Sequence, residues 1–185
     1  IHSAAISSVV PKLTNIIIDE IKNYCCDNVL IVTQQNCQIK LNVEEPKTVG
    51  ADRLCNMSAA IHCYNSPFII VDFGTANTYD VIDSNCTFIG GAISPGIETS
   101  AQYLIEKAAL LDKAKFHFPN EVIGKTTKTN IQSGIMFGAI DQITGMINRI
   151  KDETQTNNYA IILTGGFGKL LSPKLNINHI LDEHL

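Results

Sequence analysis

No apolar run in this 185-residue sequence reaches the roughly 18 residues that a membrane-spanning helix requires, so no transmembrane segment is expected. The N-terminus lacks the basic-then-apolar layout of a secretory signal. Basic residues are in deficit. Fourteen Lys and Arg against 18 Asp and Glu give a formal net charge of −4, which leaves no basic face to neutralise phosphates and argues against a nucleic-acid partner. Disorder is excluded too, because 45% of residues are hydrophobic and the net charge is small. Metal-type cysteine spacing is also missing. Cys25, Cys26, Cys37, Cys55, Cys63 and Cys86 form no C-x-x-C pair and no Cys/His cluster at zinc spacing. They read as reduced thiols serving as small apolar side chains, which fits a cytoplasmic location.

What is present is the patterning of one or two α/β units. Ile6 to Val10 reads as a strand stopped by Pro11, and Leu13 to Tyr24 as an amphipathic helix with Leu13, Ile16, Ile17, Ile21 and Tyr24 on its apolar side. Val29 to Thr33 reads as a strand, followed by a polar loop through Pro46. A helix is expected from Ala51 to Tyr64, ended by Asn65-Ser66-Pro67. Pro67 is the candidate boundary between residues 1–66 and 67–185. Beyond it, Phe68 to Thr75, Thr78 to Ile82 and Cys86 to Ile93 read as three strands of an antiparallel meander. Helices follow at Ile97 to Leu111 and Ile131 to Ile150, then a strand at Ala160 to Thr164. The Ile131–Ile150 helix carries more apolar residues than one stripe needs, so it is expected to be buried on more than one side: either one side meets a partner, with Met136 and Ile143 facing outward, or both sides are buried within one subunit.

Four segments carry candidate chemistry. Asp72-Phe73-Gly74-Thr75 closes an apolar strand. Its glycine lets backbone N–H groups face an anion, its threonine offers a hydroxyl, and its aspartate can hold a cation that offsets phosphate charge. The same residues also suffice for a plain hairpin turn. Gly50-Ala51-Asp52-Arg53 opens a helix, where the pair can be a carboxylate base beside an anion-orienting arginine, or an ordinary helix-start acid beside a solvated one. Gly90-Gly91 with Pro95-Gly96 punctuates a strand end and can equally shape a pocket wall. Thr164-Gly165-Gly166 suits close approach of a nucleotide. Gly124-Lys125-Thr126 is not a P-loop tail, because Pro119 stands where the first glycine belongs. The five histidines are scattered and carry no ligand spacing.

Taken in order, these segments resemble the type III pantothenate kinases. The matching stretches are Ser8-Val9-Val10-Pro11, Pro46 with Val49 to Arg53, Asp72 to Ala76, Gly90-Gly91 with Ile93 and Pro95-Gly96, Gly124-Lys125 with Thr127, Gln132-Ser133-Gly134 with Gly138, and Thr164-Gly165-Gly166. The resemblance implies an actin-like α/β fold of two ribonuclease-H-like halves. Residues 1–66 would be the remainder of the first half and 67–185 the second. The family opens on an Asp-x-Gly-Asn-Thr phosphate loop, and none precedes Ser8, so the first half is expected to be incomplete in this chain. The implied activity is phosphorylation of the primary hydroxyl of pantothenate by ATP, the first step towards coenzyme A. It requires Mg2+ or another divalent cation and K+ or NH4+, in a cytoplasmic homodimer. By the same resemblance Asp52 is the general base, and Gly50, Ala51, Asp52, Arg53 and Thr127 bind pantothenate. Gly74, Thr75, Gly165 and Gly166 contact ATP, and Asp72 holds the monovalent cation. Val43 stands where the family often has a substrate-contacting tyrosine. Two other readings stay open: a non-catalytic relative acting as a transcriptional accessory factor, and another small-molecule kinase of the same superfamily.

Overall fold

The computed structural model describes residues 1–108 and 116–185. The chain divides into two compact units, one comprising residues 1–66, 80–90 and 185, the other residues 67–79 and 91–184. The end of the expected helix at Ala109 to Leu111 lies outside the described residues.

In the first unit, β1 (Ala4–Ile6) pairs in parallel with β2 (Val29–Ile31), and α1 (Pro11–Tyr24) connects them. The strand expected up to Val10 is therefore shorter and earlier, and Pro11 opens a helix rather than ending a strand. Proline is favoured at the first helical position, where its missing N–H has no intrahelical partner to lose. The entry is fixed locally: Ser8 Oγ accepts from the Val10 N–H at 3.2 Å, and Thr14 Oγ1 donates to the Val10 carbonyl at 3.0 Å. The apolar stripe of α1 is real but uncovered. None of its residues is buried, and Leu13, Ile16 and Ile17 keep 52%, 58% and 41% of their surface. After a two-residue strand β3 (Lys40–Leu41) and a 3-10 turn at Pro46–Thr48 comes α2 (Ala51–Cys63). It buries Ala51, Leu54, Met57 and Ala60, one face at helical spacing.

In the second unit β4 (Phe68–Phe73) is the central strand, with every residue but Asp72 buried. That continuous apolar run is what a strand covered on both faces requires. β7 (Ala160–Thr164) lies parallel beside it in register from Phe68↔Ala160 to Asp72↔Thr164, and β8 (Ile180–Leu181) extends the parallel side. On the other side stand β5 (Ala76–Ile82) and then β6 (Thr87–Pro95), joined by turns too short for a parallel crossover. The expected meander is thus present. Both strands change unit part-way, and the first residues of β6 pair with β3 in the first unit.

Two helices of the second unit bear on function, α3 (Ile97–Ala108) and α4 (Thr127–Thr154). The 28-residue α4 starts earlier than Ile131 because Thr126 and Thr129 form a reciprocal capping box, each hydroxyl accepting the other's backbone N–H. Its buried stripe is Met136, Ala139, Ile143 and Ile147. Met136 and Ile143 therefore face the unit's own core, at 1% and 0% exposure, and not outward. Apolar excess measured how much of the helix is covered; only the spacing of these four decides which side.

Candidate active site

The site residues fall into clusters that the two units hold separately. In the first unit Gly50 is the N-cap residue of α2, so Ala51, Asp52 and Arg53 form its first turn. An acid there is favoured by the positive end of the helix dipole. The Asp52 carboxylate is exposed, and its Oδ1 accepts the Arg53 N–H at 2.8 Å. Arg53 is held differently. Its Nε donates to Asp80 Oδ1 at 2.8 Å, its Nη2 contacts the same oxygen, and its guanidinium lies 5.4 Å from the centroid of the Phe88 ring. Asp80 is completely buried and the Arg53 side chain is 15% exposed. The reading of Arg53 as a solvated side chain is thereby corrected: it is locked against β5 and β6.

In the second unit β4 delivers Asp72 to its end, half-buried and in register with Thr164 on β7. Gly165 follows at φ +87, and a side chain there would collide with Asp72 Oδ1 and the Phe73 backbone. Glycine is required on both counts, conformation and space. The Gly165 backbone is consequently packed onto the Asp72 carboxylate, and Phe167 N–H reaches back to the Phe73 carbonyl at 3.4 Å. Gly74 and Thr75 form the turn into β5. The Thr75 carbonyl is held by the Gly96 N–H at 3.0 Å and the Thr99 hydroxyl at 2.7 Å, while Thr75 itself is exposed. Asp72, Gly74, Thr75 and Gly165 are thus assembled, and Gly166 stands exposed beside them. Thr127, the first residue of α4, is exposed.

Sequence reasoning missed Asp80 and Phe88. The available signal was an acid inside an otherwise apolar strand, Tyr79-Asp80-Val81-Ile82, since a buried charge is seldom unpaired. All six cysteines are free, and among the described residues no group of three or more His, Cys, Asp or Glu could hold a metal.

A profile of the type III pantothenate kinases matches residues 1–149. The chain belongs to the type III pantothenate kinase family. It is 41% identical to the type III pantothenate kinases of Sulfurihydrogenibium sp. and Persephonella marina and 36% identical to that of Agathobacter rectalis, over its whole length in each case. It spans 73%, 72% and 72% of those three proteins, respectively. Among solved structures, a Campylobacter jejuni protein described as a Baf family transcriptional activator superposes with a TM-score of 0.67 at 19% identity, covering 98% of this chain and 76% of that one. That likeness is one of fold. Among the described residues no helix is long and apolar enough to cross a membrane.

Proposed function

We propose that this family member phosphorylates pantothenate: the pantothenate hydroxyl oxygen bonds to the γ-phosphorus of ATP, the bond from that phosphorus to ADP breaks, and the hydroxyl proton passes to Asp52. The observation that carries this reading is the family match together with 36–41% identity over the whole chain. Phosphoryl transfer asks mainly for positioning and charge neutralisation, so an accessible carboxylate is chemically adequate as the base. Gly50, Ala51 and Arg53 bind pantothenate beside it, and Thr127 is a second pantothenate contact. Gly74, Thr75, Gly165 and Gly166 bind ATP. The grouping is supported by their proximity, since Gly74 and Gly165 both lie against the Asp72 carboxylate.

The donor set bears on the cations. ATP is used together with Mg2+ or another divalent cation, an ion that one or two carboxylates and the nucleotide's phosphates suffice to hold. Asp72, half-buried at a strand end, is a single carboxylate suited to K+ or NH4+. A cytoplasmic location, a homodimer, and a division of the sequence into ribonuclease-H-like halves of residues 1–66 and 67–185 belong to the same proposal.

The test is a coupled kinase assay on the wild type and Asp52→Asn. Turnover should fall by roughly 10²–10⁴, the range for loss of a general base, with the melting temperature unchanged. Near-normal turnover would remove the role given to Asp52. Run in K+ and in Na+ at equal ionic strength, the wild-type assay should be faster in K+, and equal rates would remove the cation role of Asp72.

A further inference from the structure

Arg53 is not free to choose its own orientation, and the residue that denies it the choice is Asp80. A guanidinium has five N–H donors in a rigid plane. The Nε and Nη2 of Arg53 both turn to Asp80 Oδ1, and Phe88 lies against the guanidinium, 5.4 Å from the ring centroid. Asp80 is completely buried on β5. Taking a carboxylate fully out of water costs several kcal/mol, and a buried pair of this kind often contributes no more stability than well-packed apolar residues would. Stability therefore gives little reason for an acid at this place in an apolar strand. Orientation gives a better one. Arg53 is next to Asp52 in the first turn of α2, and three of its N–H donors are not spent on Asp80.

We propose that Asp80 is a positioning residue for pantothenate recognition: it fixes the Arg53 guanidinium so that its remaining N–H donors meet the substrate's carboxylate while the hydroxyl is presented to Asp52. This rests on the reading of Arg53 as a pantothenate-binding residue. Asp80 touches no substrate in this scheme, and its effect on pantothenate passes through Arg53.

The experiment compares Arg53→Met, Asp80→Asn and the double variant by pantothenate KM, ATP KM, kcat and melting temperature. Asparagine keeps the acceptor oxygen and removes the charge that orients the guanidinium. Asp80→Asn should raise the pantothenate KM by about 10- to 100-fold, the scale of a charge-assisted hydrogen bond, with the ATP KM unchanged. The double variant should be no worse than Arg53→Met. If Asp80→Asn fails to fold, Phe88→Leu replaces it, since it loosens the other restraint on the guanidinium without stranding a charge. It should raise the pantothenate KM a few-fold and leave the ATP KM unchanged. A raised pantothenate KM in Arg53→Met with no change in Asp80→Asn, or in Phe88→Leu where that replaces it, overturns the positioning role alone. An unchanged pantothenate KM in Arg53→Met overturns the Arg53 reading and this proposal with it. Equal rises in both KM values together with a lower melting temperature make Asp80 a structural residue only.

Discussion

Tyr79 lies wholly inside the second unit, and its phenol oxygen completes no hydrogen bond of good geometry among the described residues. Burial pushes the phenol above its ordinary value of 10.0, and the nearby Ser94 hydroxyl offsets part of that rise. The neutral phenol is thus the form the fold accepts. Below pH 10 the folded and unfolded chains both carry it, and its contribution to stability is fully present. Above pH 10 the unfolded chain ionises first, so stability is lost as pH rises towards the folded value. Tyr79→Phe removes a buried oxygen that the Ser94 hydroxyl neighbours without a hydrogen bond of good geometry, and a buried hydroxyl left unmet costs about 1–3 kcal/mol. The variant should be as stable as the wild type or more so in urea titrations at pH 7, and its stability should fall less steeply above pH 10. A clear loss at pH 7 would mean that the hydroxyl is bonded after all. At this scale the sequence was legible where chemistry and backbone coincide. Asp72-Phe73-Gly74-Thr75 and Gly165 announce themselves because a turn and a close approach need glycine whatever the context. Asp80 did not, because its role depends on a partner 27 positions away along the chain.

The elements show the same division between local and non-local causes. Meander, α2 and β7 could be read from periodicity and turn residues, which act within a few positions. The two-residue strands β3 and β8 could not: each exists only because a neighbouring strand pairs with it. The orientation of α4 is the instructive failure. Its sequence carries apolar residues on most sides, and composition does not say which of them meets the unit's own sheet. The structure puts Met136, Ala139, Ile143 and Ile147 inward. Met136→Ala should therefore destabilise the chain by about 2–5 kcal/mol, the cost of a cavity in a packed core. Thermal unfolding measures this, and a loss below about 1 kcal/mol would return Met136 to the surface. Thr126 and Thr129 account for the early start of α4, which was hidden because threonine stands where the usual capping box has Glu or Gln.

At the scale of the whole molecule the open matter is assembly, and α4 again carries the argument through its other face. Gly134 and Gly138 are exposed on that helix, and a Cβ built on either meets nothing within 4 Å. Glycine in an exposed helix costs about 1 kcal/mol relative to alanine, so neither is explained by the protomer's own stability. Together with Ile131, Ile135, Pro95 and Leu104 they line a groove of about 310 Å³ between α3 and α4, with Leu104 46% exposed. A helix face kept free of side chains beside apolar walls suits the close approach of another backbone. In a two-fold dimer that face would meet its own copy, so one substitution would enter the contact twice. Gly138→Arg is the sharpest test. Within the protomer it has room, improves helix propensity and gains Asp141 as a neighbour one turn on. The wild type should sediment at twice its 20.2 kDa chain mass at tens of micromolar, and Gly138→Arg at the chain mass with an undiminished melting temperature. A monomeric wild type would remove the homodimer. A dimeric Gly138→Arg would keep the dimer and move its interface away from this groove.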